Sequence, residues 1–354
     1  MHKRMLLTSL CFSLLIAVPL GLCAKEARPA CGHHVLTYDV PGAVYGTYPY
    51  MIISNGDVTG AYYPDDGIGH GFLRDHNGNF TKFDPPNSGG SEGTIPFSMN
   101  DFGIIAGYYT DSDDHAHGFI RDRSGNFTIV DVPGATDTAI YDINLFGTTA
   151  GVYYDTDGVG HMFLRTPFGR FTSFDVGGEF LTWFNCAASC LNYFGMLTGI
   201  YSDAGELHHS FLRAPSGHYI TFDPPDSVQS YGVGINDAGD VTGYFSDTAG
   251  TEHGFIRRMN GNFVKFDVTV TDVAGTEPGD INAFGVVSGQ YFDSLGAYHG
   301  FLRQTNGRIV TFDIPGAGTG SGTGTFPFTL NASGAITGNY CGDDGNCHGF
   351  IWKY

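Results

Sequence analysis

Basic residues are scarce in this chain, with 17 Lys and Arg against 36 Asp and Glu. They form no stripe. Without Lys3 and Arg4, which fall in the N-terminal segment treated below, 15 bases face 36 acids, a net charge of −21. Such a surface repels phosphate, which excludes nucleic acid as a partner and favours cations or basic surfaces. Long apolar runs are absent after Leu22, so the mature chain inserts in no membrane. Helical periodicity is absent too. No nucleophile elbow, His-Glu-x-x-His pair or Cys-x-x-Cys pair appears, which removes the commonest hydrolase and zinc signatures. Cysteine is sparse beyond the leader: Cys31, Cys186, Cys190, Cys341 and Cys347. The count is odd, so one thiol is spare or the pairing is partial, and a chain this long needs disulfides only as local staples.

The N-terminus has the layout of a secretory signal peptide. His2-Lys3-Arg4 is followed by an apolar run from Met5 to Leu22, then Cys23-Ala24-Lys25, with Ala24 as the cleavage position. Export permits disulfides. The expected organisation is a signal peptide over 1–24, a linker over 25–34 and one domain over 35–354.

What the chain does have is a repeat. His70, His117, His161, His209, His253, His299 and His348 lie 44 to 49 residues apart. Ten residues before each stands a glycine, two after each a phenylalanine. Four after stands an arginine, replaced by Trp352 in the last copy, and fourteen after an aspartate in six copies. Length varies only between that aspartate and the next Asn-x-x-Gly. A period near 45 residues reads as a propeller or a solenoid. Each copy is short, glycine-punctuated, aromatic and β-branched, which spells four strands a to d. Asn100-Asp101-Phe102-Gly103 is a type I turn between a and b. Ser124-Gly125 suits a two-residue type I′ hairpin between c and d.

The expected fold is therefore all-β, a seven-bladed β-propeller of four-stranded antiparallel blades. The segment after residue 34 reads as a strand d and the chain ends after a strand c. The first strand should close the ring by completing the last blade, removing the open sheet edge. Cys341 and Cys347, bonded across strands b and c, would fix the register and set Tyr340 opposite His348. The same offset pairs an aromatic with every repeat histidine. The glycine ten before the histidine then faces the phenylalanine two after it, and Phe72 is expected opposite Phe83. Equivalent positions around a ring do not converge on one point. The histidines are accordingly read as structural, bonding between strands or to a neighbouring blade. The arginines and aspartates are read as blade-to-blade ion pairs or turn contacts.

The repeat resembles the HAF-repeat family of extracellular bacterial proteins over about residues 35–354. Asn-x-x-Gly, Gly-x-Tyr, His-Gly-Phe-x-Arg and Phe-Asp-x-Pro-Gly carry the resemblance. Met162 and Ser210 depart from it in the small position, and Ile53 stands where the turn asparagine belongs. The resemblance implies an exported β-propeller and carries over no activity or functional residue.

Function is expected on the end that holds the b–c loops and d–a connections, where all the length variation falls. The connection from Val176 to Cys190 carries Glu179, Trp183 and Phe184, with Cys186 and Cys190 as a candidate staple. A tryptophan beside a carboxylate suits a sugar ring. Glu92 and Glu277 lie in connections near the channel mouth, completing the candidate binding set. The b–c loops collect acid, among it Asp111, Asp113, Asp114 and Glu252. Asp155-Thr156-Asp157-Gly158 resembles the start of a Ca²⁺ loop, with Asp155 and Asp157 as ligands, although it lacks the closing glutamate. Three readings follow. The leading one is a secreted or periplasmic monomeric binding module, presenting an acidic face to a glycan, a cation or a protein. The second is an enzyme of the glycan-cleaving or lactone-opening kind, with carboxylates at the channel mouth. The third is a structural envelope protein.

Overall fold

The computed structural model describes residues 33–177 and 189–354, together with the backbone of Thr182 and Trp183. Among them every regular element is a β-strand. The first unit shows the plan: Gly46–Ile52 (a), Val58–Tyr63 (b), His70–Arg74 (c) and Phe80–Phe83 (d), joined in that order as an antiparallel sheet. Units of the same plan follow over 94–130, 137–174, 182–222, 229–266 and 273–312. The last unit has Gly324–Leu330, Ile336–Cys341 and Cys347–Lys353, and its fourth strand is His34–Tyr38 from the start of the chain. His34 lies opposite Lys353, and Tyr38 opposite Gly349. The two ends of the chain therefore share one sheet, with the N-terminal strand covering an edge that would otherwise stay unpaired.

Cys341 and Cys347 are bonded and lie opposite each other, which sets Tyr340 opposite His348 as expected. The aromatic–histidine pairing holds in the other units, with Tyr109 opposite His117 and Phe245 opposite His253 among them. Cys190 is also disulfide-bonded; Cys31 and Cys186 lie outside the described residues.

The c–d register differs from expectation by one residue. Phe83 stands opposite Gly71, and Phe72 opposite Lys82. The cause is the turn. Gly78 donates to Asp75 and Asp75 to Asn79, with only the glycine at positive φ (+93°). That is a type I turn with a left-handed glycine and a G1 bulge, three residues long rather than two. The register explains the glycine that follows five of the seven histidines: a Cβ on Gly300 would lie 2.5 Å from the Phe312 ring.

The core lies between units as well as within them. Phe72, Phe119, Phe163, Phe211, Phe255, Phe301 and Phe350 are each 0% exposed. Burying a ring of this size contributes about 1.5–3 kcal/mol. One cluster joins Val40, Ile52, Val58, Tyr62 and Phe72 to Ala335 and Ile351, so the first unit packs on the last. Strand a carries a β-bulge in most units, as between Pro49 and Met51 or Ile140 and Asp142. Pro49, Pro96, Pro278 and Pro327 sit at these bulges. Strand a has a full ladder on one side only, which is where a strand tolerates proline. The bulge also explains the glycine ten before the histidine in the six units other than that of His209. A Cβ on Gly243 would fall on the carbonyl oxygen of Tyr231, and one on Gly338 on that of Phe326. Room for the facing phenylalanine ring is the lesser requirement.

Candidate functional site

Each repeat histidine is held by aspartates of its own unit. Nδ1 of His253 is 2.8 Å from Asp267, and its Nε2 is 3.2 Å from Asp247 at the start of the b–c loop. His117 bridges Asp131 and Asp111 in the same way, His161 bridges Asp175 and Asp155, and His209 bridges Asp223 and Asp203. His348 completes the pattern with Asp39, which the N-terminal strand brings to it. His299 holds the equivalent pair, Asp313 and Asp293, and His70 holds Asp84 and, with Pro64 at the loop start, Asp66 from within the loop; the second contact of each is longer at 3.7 Å. The aspartate fourteen after the histidine thus makes no blade-to-blade ion pair, contrary to expectation. It pins strand d to strand c.

The arginines do reach the neighbouring unit, but by cation–π contact rather than ion pairing. The Arg121 guanidinium lies 4.8 Å from the Phe83 ring centre, Arg213 4.4 Å from Phe174 and Arg257 4.8 Å from Phe222. Arg74 lies 4.9 Å from Tyr38, again using the N-terminal strand. Trp352 replaces arginine with the same geometry, stacking on Phe312 at 4.2 Å. Arg165 has Val130 in place of a ring ahead of it and turns to its own Phe171 instead.

A second belt runs near the channel. The Oδ1 of Asn144 accepts the N–H groups of Phe146 and Thr148, shaping the a–b turn. Its Nδ2 donates to the carbonyl of Asn192 in the next unit, 3.2 Å away. The same link runs from Asn100 to Asn144, Asn192 to Asn236, Asn236 to Asn282 and Asn282 to Asn331. Asn331 donates to the carbonyl of Ile53 in the first unit. Ile53 has no amide to pass on, and Ser54 bonds Asp101 there instead.

At the loop-bearing mouth, Glu277 of strand a and Glu252 at the start of strand c in the preceding unit come together. The parallel bridge between Glu252 and Gly275 brings them there. The Glu277 carboxyl acts directly on that of Glu252, and Gln290 Nε2 donates to Glu277 at 2.6 Å. Burial, then the bond to Glu277 and its charge, raise the Glu252 carboxyl far above its ordinary range. Two carboxyls in contact hold one proton between them. Aromatic rings flank the pair. Tyr231 stacks on Tyr244 at 4.6 Å, and Tyr298 lies 4.9 Å from Phe326. Across the mouth, Tyr108 donates to Glu92 at 2.6 Å.

Deeper in the channel Tyr50, Phe97, Tyr141 and Phe328 pack ring on ring, with neighbouring centroids 4.9 to 5.7 Å apart. Beyond them, at the a–b turn end, lies a cavity of about 260 Å³ between the last residues of the a strands. Two buried carboxylates line it. Asp142 accepts from Ser98 Oγ, Ile143 N and Leu191 N, and Asp280 from Ile281 N and Leu330 N. Burial pushes each carboxyl up to about 6.

No family model and no curated protein matches the chain. Solved structures do. Streptogramin B lyase superposes with a TM-score of 0.60 at 13% identity, covering 91% of this chain and 97% of that one. The β-propeller domain of the Trilobed protease from Pyrococcus furiosus gives 0.59 at 10% identity, covering 86% and 96%. The lectin BP39L from Burkholderia pseudomallei gives 0.51 at 11%, covering 84% and 94%. The fold is a β-propeller.

The propeller brings some of the expected site residues together. Glu277 and the backbone of Trp183 occupy equivalent register positions on their a strands, opposite Gln290 and Ile200. Glu92 reaches the same layer through Tyr108, which lies opposite Ile95. Glu179 and Phe184 lie outside the described residues. Asp155 serves its own turn: Oδ1 accepts the N–H groups of Asp157 and Val159, and Oδ2 meets His161. The Asp157 backbone thus contributes to the turn, and the Asp155 oxygens are already engaged.

Sequence reasoning placed Glu252 among the loop acids without its partner, and it missed Asp142 and Asp280. A signal existed for the latter two. Asp-Ile-Asn occurs twice at the end of an otherwise apolar strand a, and a charge in such a strand is costly unless bonded.

Proposed function

We propose that the chain is a seven-bladed propeller, closed into a ring by residues 34–38 and exported behind residues 1–24. It acts as a binding module for glycans at the loop-bearing channel mouth. The pairing of His34–Tyr38 with Cys347–Lys353 supports the closed ring. The disulfide between Cys341 and Cys347 is compatible with export. Among the described residues, no helix is long and apolar enough to cross a membrane.

The observation that carries the reading is the Glu252–Glu277 pair with Gln290 beside it and tyrosines around it. A carboxyl pair and an amide offer fixed donors and acceptors to hydroxyl groups, and the rings offer apolar faces to a sugar. The lectin BP39L is a propeller of comparable extent, which lends the reading plausibility. Spacing speaks against two-acid hydrolysis by this pair. Glycosidases hold their carboxyls about 5–9.5 Å apart to admit the bond or a water, whereas the Glu252–Gly275 bridge brings these two close enough to influence each other's proton. One observation favours the alternative, a propeller enzyme that opens a glycan or lactone link. Glu252 keeps its proton unusually high in the pH range, as a general acid must.

The test is a glycan array probed with the exported form, wild type beside Glu277→Gln and Tyr231→Ala. Retention of a glycan class by wild type, weakened about tenfold or more in both variants, supports the reading. Product formation from a bound glycan, abolished in Glu252→Gln, would move the assignment to the enzyme. Equal retention by all three proteins would reject this mouth as the site.

A further inference from the structure

The a–b turn end holds an independent site. We infer that its cavity binds a small organic cation, an alkylammonium or guanidinium group on a short apolar body. Charge is the first reason. Among the described residues the titratable lining groups are Asp101, Asp142, Asp237, Asp280 and Tyr193, and no lysine, arginine or histidine lines the cavity with them. Asp142 and Asp280 are only 3% and 2% exposed. The charge of Asp280 adds to the burial that raises the Asp142 carboxyl, so the two feel each other. A cation between them relieves that repulsion and the cost of burying charge.

Acceptor capacity is the second reason. A carboxylate has about four lone-pair sites. Asp142 spends three, on Ser98, Ile143 and Leu191. One remaining site suits a single N–H donor, and it falls short of the six to eight oxygens that Ca²⁺ takes.

The rim is the third. Tyr193 lines the cavity and lies 4.5 Å from the Phe146 ring and 5.0 Å from Phe194. Phe146 and Phe194 are 60% and 61% exposed, so folding gains little from them. Aromatic faces beside an acidic cavity attract a cation and cover its apolar stem. Size sets the ligand small, since drug-sized pockets run from about 300 Å³ upward. The packed rings of Tyr50, Phe97, Tyr141 and Phe328 stand between this cavity and the loop-bearing mouth, so entry is from the turn end.

Calorimetric titration of the whole protein with butylamine, putrescine, butanol, CaCl₂ and a lysine-containing tetrapeptide tests the inference. The amines are expected to bind and butanol is not. Asp142→Asn should abolish binding, but it also unpairs Leu191 N and endangers the fold. The exposed rim therefore carries the decisive variants. Phe146→Ala and Tyr193→Ala should each weaken butylamine by about three- to tenfold. Glu277→Gln should leave it unchanged, which separates this site from the glycan mouth. Butanol binding as well as butylamine would overturn the inference. So would Ca²⁺ or the peptide binding while the free amines do not, or rim variants that bind normally.

Discussion

Two belts repeat with the same period, and they do different work. The asparagine belt lies near the channel, buried, and each amide passes from one blade to the next. The histidine belt lies at the outer rim, part-exposed, and each imidazole stays within its blade, between two aspartates in six units and on Asp39 alone at His348. The charged belt looks the stronger on paper. Burial reverses the order. An exposed ion pair competes with water and is worth about 0–1 kcal/mol. A buried amide that loses its partners leaves donors and acceptors that water cannot reach, at about 1–3 kcal/mol each.

Glycine substitutions break the comparison hardest. Gly243→Ala places a Cβ on the Tyr231 carbonyl, a backbone atom held in the bulge beside the inner belt. We expect a loss of about 3 kcal/mol or more, read as a fall in the urea midpoint or as failure to fold. Gly300→Ala, under strand d on the outside, meets the Phe312 ring instead. A ring can shift where a carbonyl cannot, so about 1–2 kcal/mol is expected. An equal cost at the two positions would remove the distinction between inner and outer construction.

Next comes the direct test of the belts. Asn144→Ala deletes the acceptor for Phe146 and Thr148 and the donor to Asn192. Urea denaturation should show a loss of about 2–4 kcal/mol. His299→Ala deletes one bond to Asp313 and a longer contact to Asp293. Its cost should stay near or below about 1 kcal/mol. A histidine variant as damaging as the asparagine variant would put the strength of the fold at the rim.

How far the sequence revealed these belts follows from the same geometry. The period, the strands and the b–c register were legible because they depend on local chain. One cystine pins Tyr340 to His348, and a fixed offset carries the register to every copy. The c–d register was misread because Ser124-Gly125 looks the same in a two-residue and a three-residue turn. The asparagine was legible as a turn residue, since its Oδ1 serves its own loop. Its Nδ2 serves a blade more than forty residues on, beyond the reach of local pattern. The same holds for the candidate site. Glu277 could be suspected, but its meeting with Glu252 depends on how two blades abut. Asp142 and Asp280 fall in different blades, and only the packing of the blades about the channel sets them around one cavity.

The smallest effect, and the sharpest test of the difference, is the pH dependence. At the rim, His299 is held above its ordinary value first by its bond to Asp313, against the pull of burial. At His117 and His161 burial is the largest single influence and lowers the value, but the paired aspartates outweigh it. A histidine raised on folding contributes stability that is complete below its unfolded value, about 6.5, and lost as pH climbs through its folded value. The inner carboxyls act lower on the scale. Asp142 and Asp280 rise from 3.8 to about 6, so their contribution is present below 3.8 and lost as pH rises through about 6. Asp111, Asp155, Asp203 and Asp247 are lowered and oppose this at the acid end, losing their contribution as pH falls below the ordinary carboxylate range. Stability should therefore peak near about pH 4 and decline toward pH 8 in two parts. The part between about 4 and 6 belongs to the channel and should survive His299→Gln. Above 6.5 the rim histidines add to the continuing loss from Glu252, which is raised to about 8, and the rim's share should shrink in that variant. A urea midpoint that rises steadily from pH 6 to pH 8 would mean that neither belt titrates as its surroundings require.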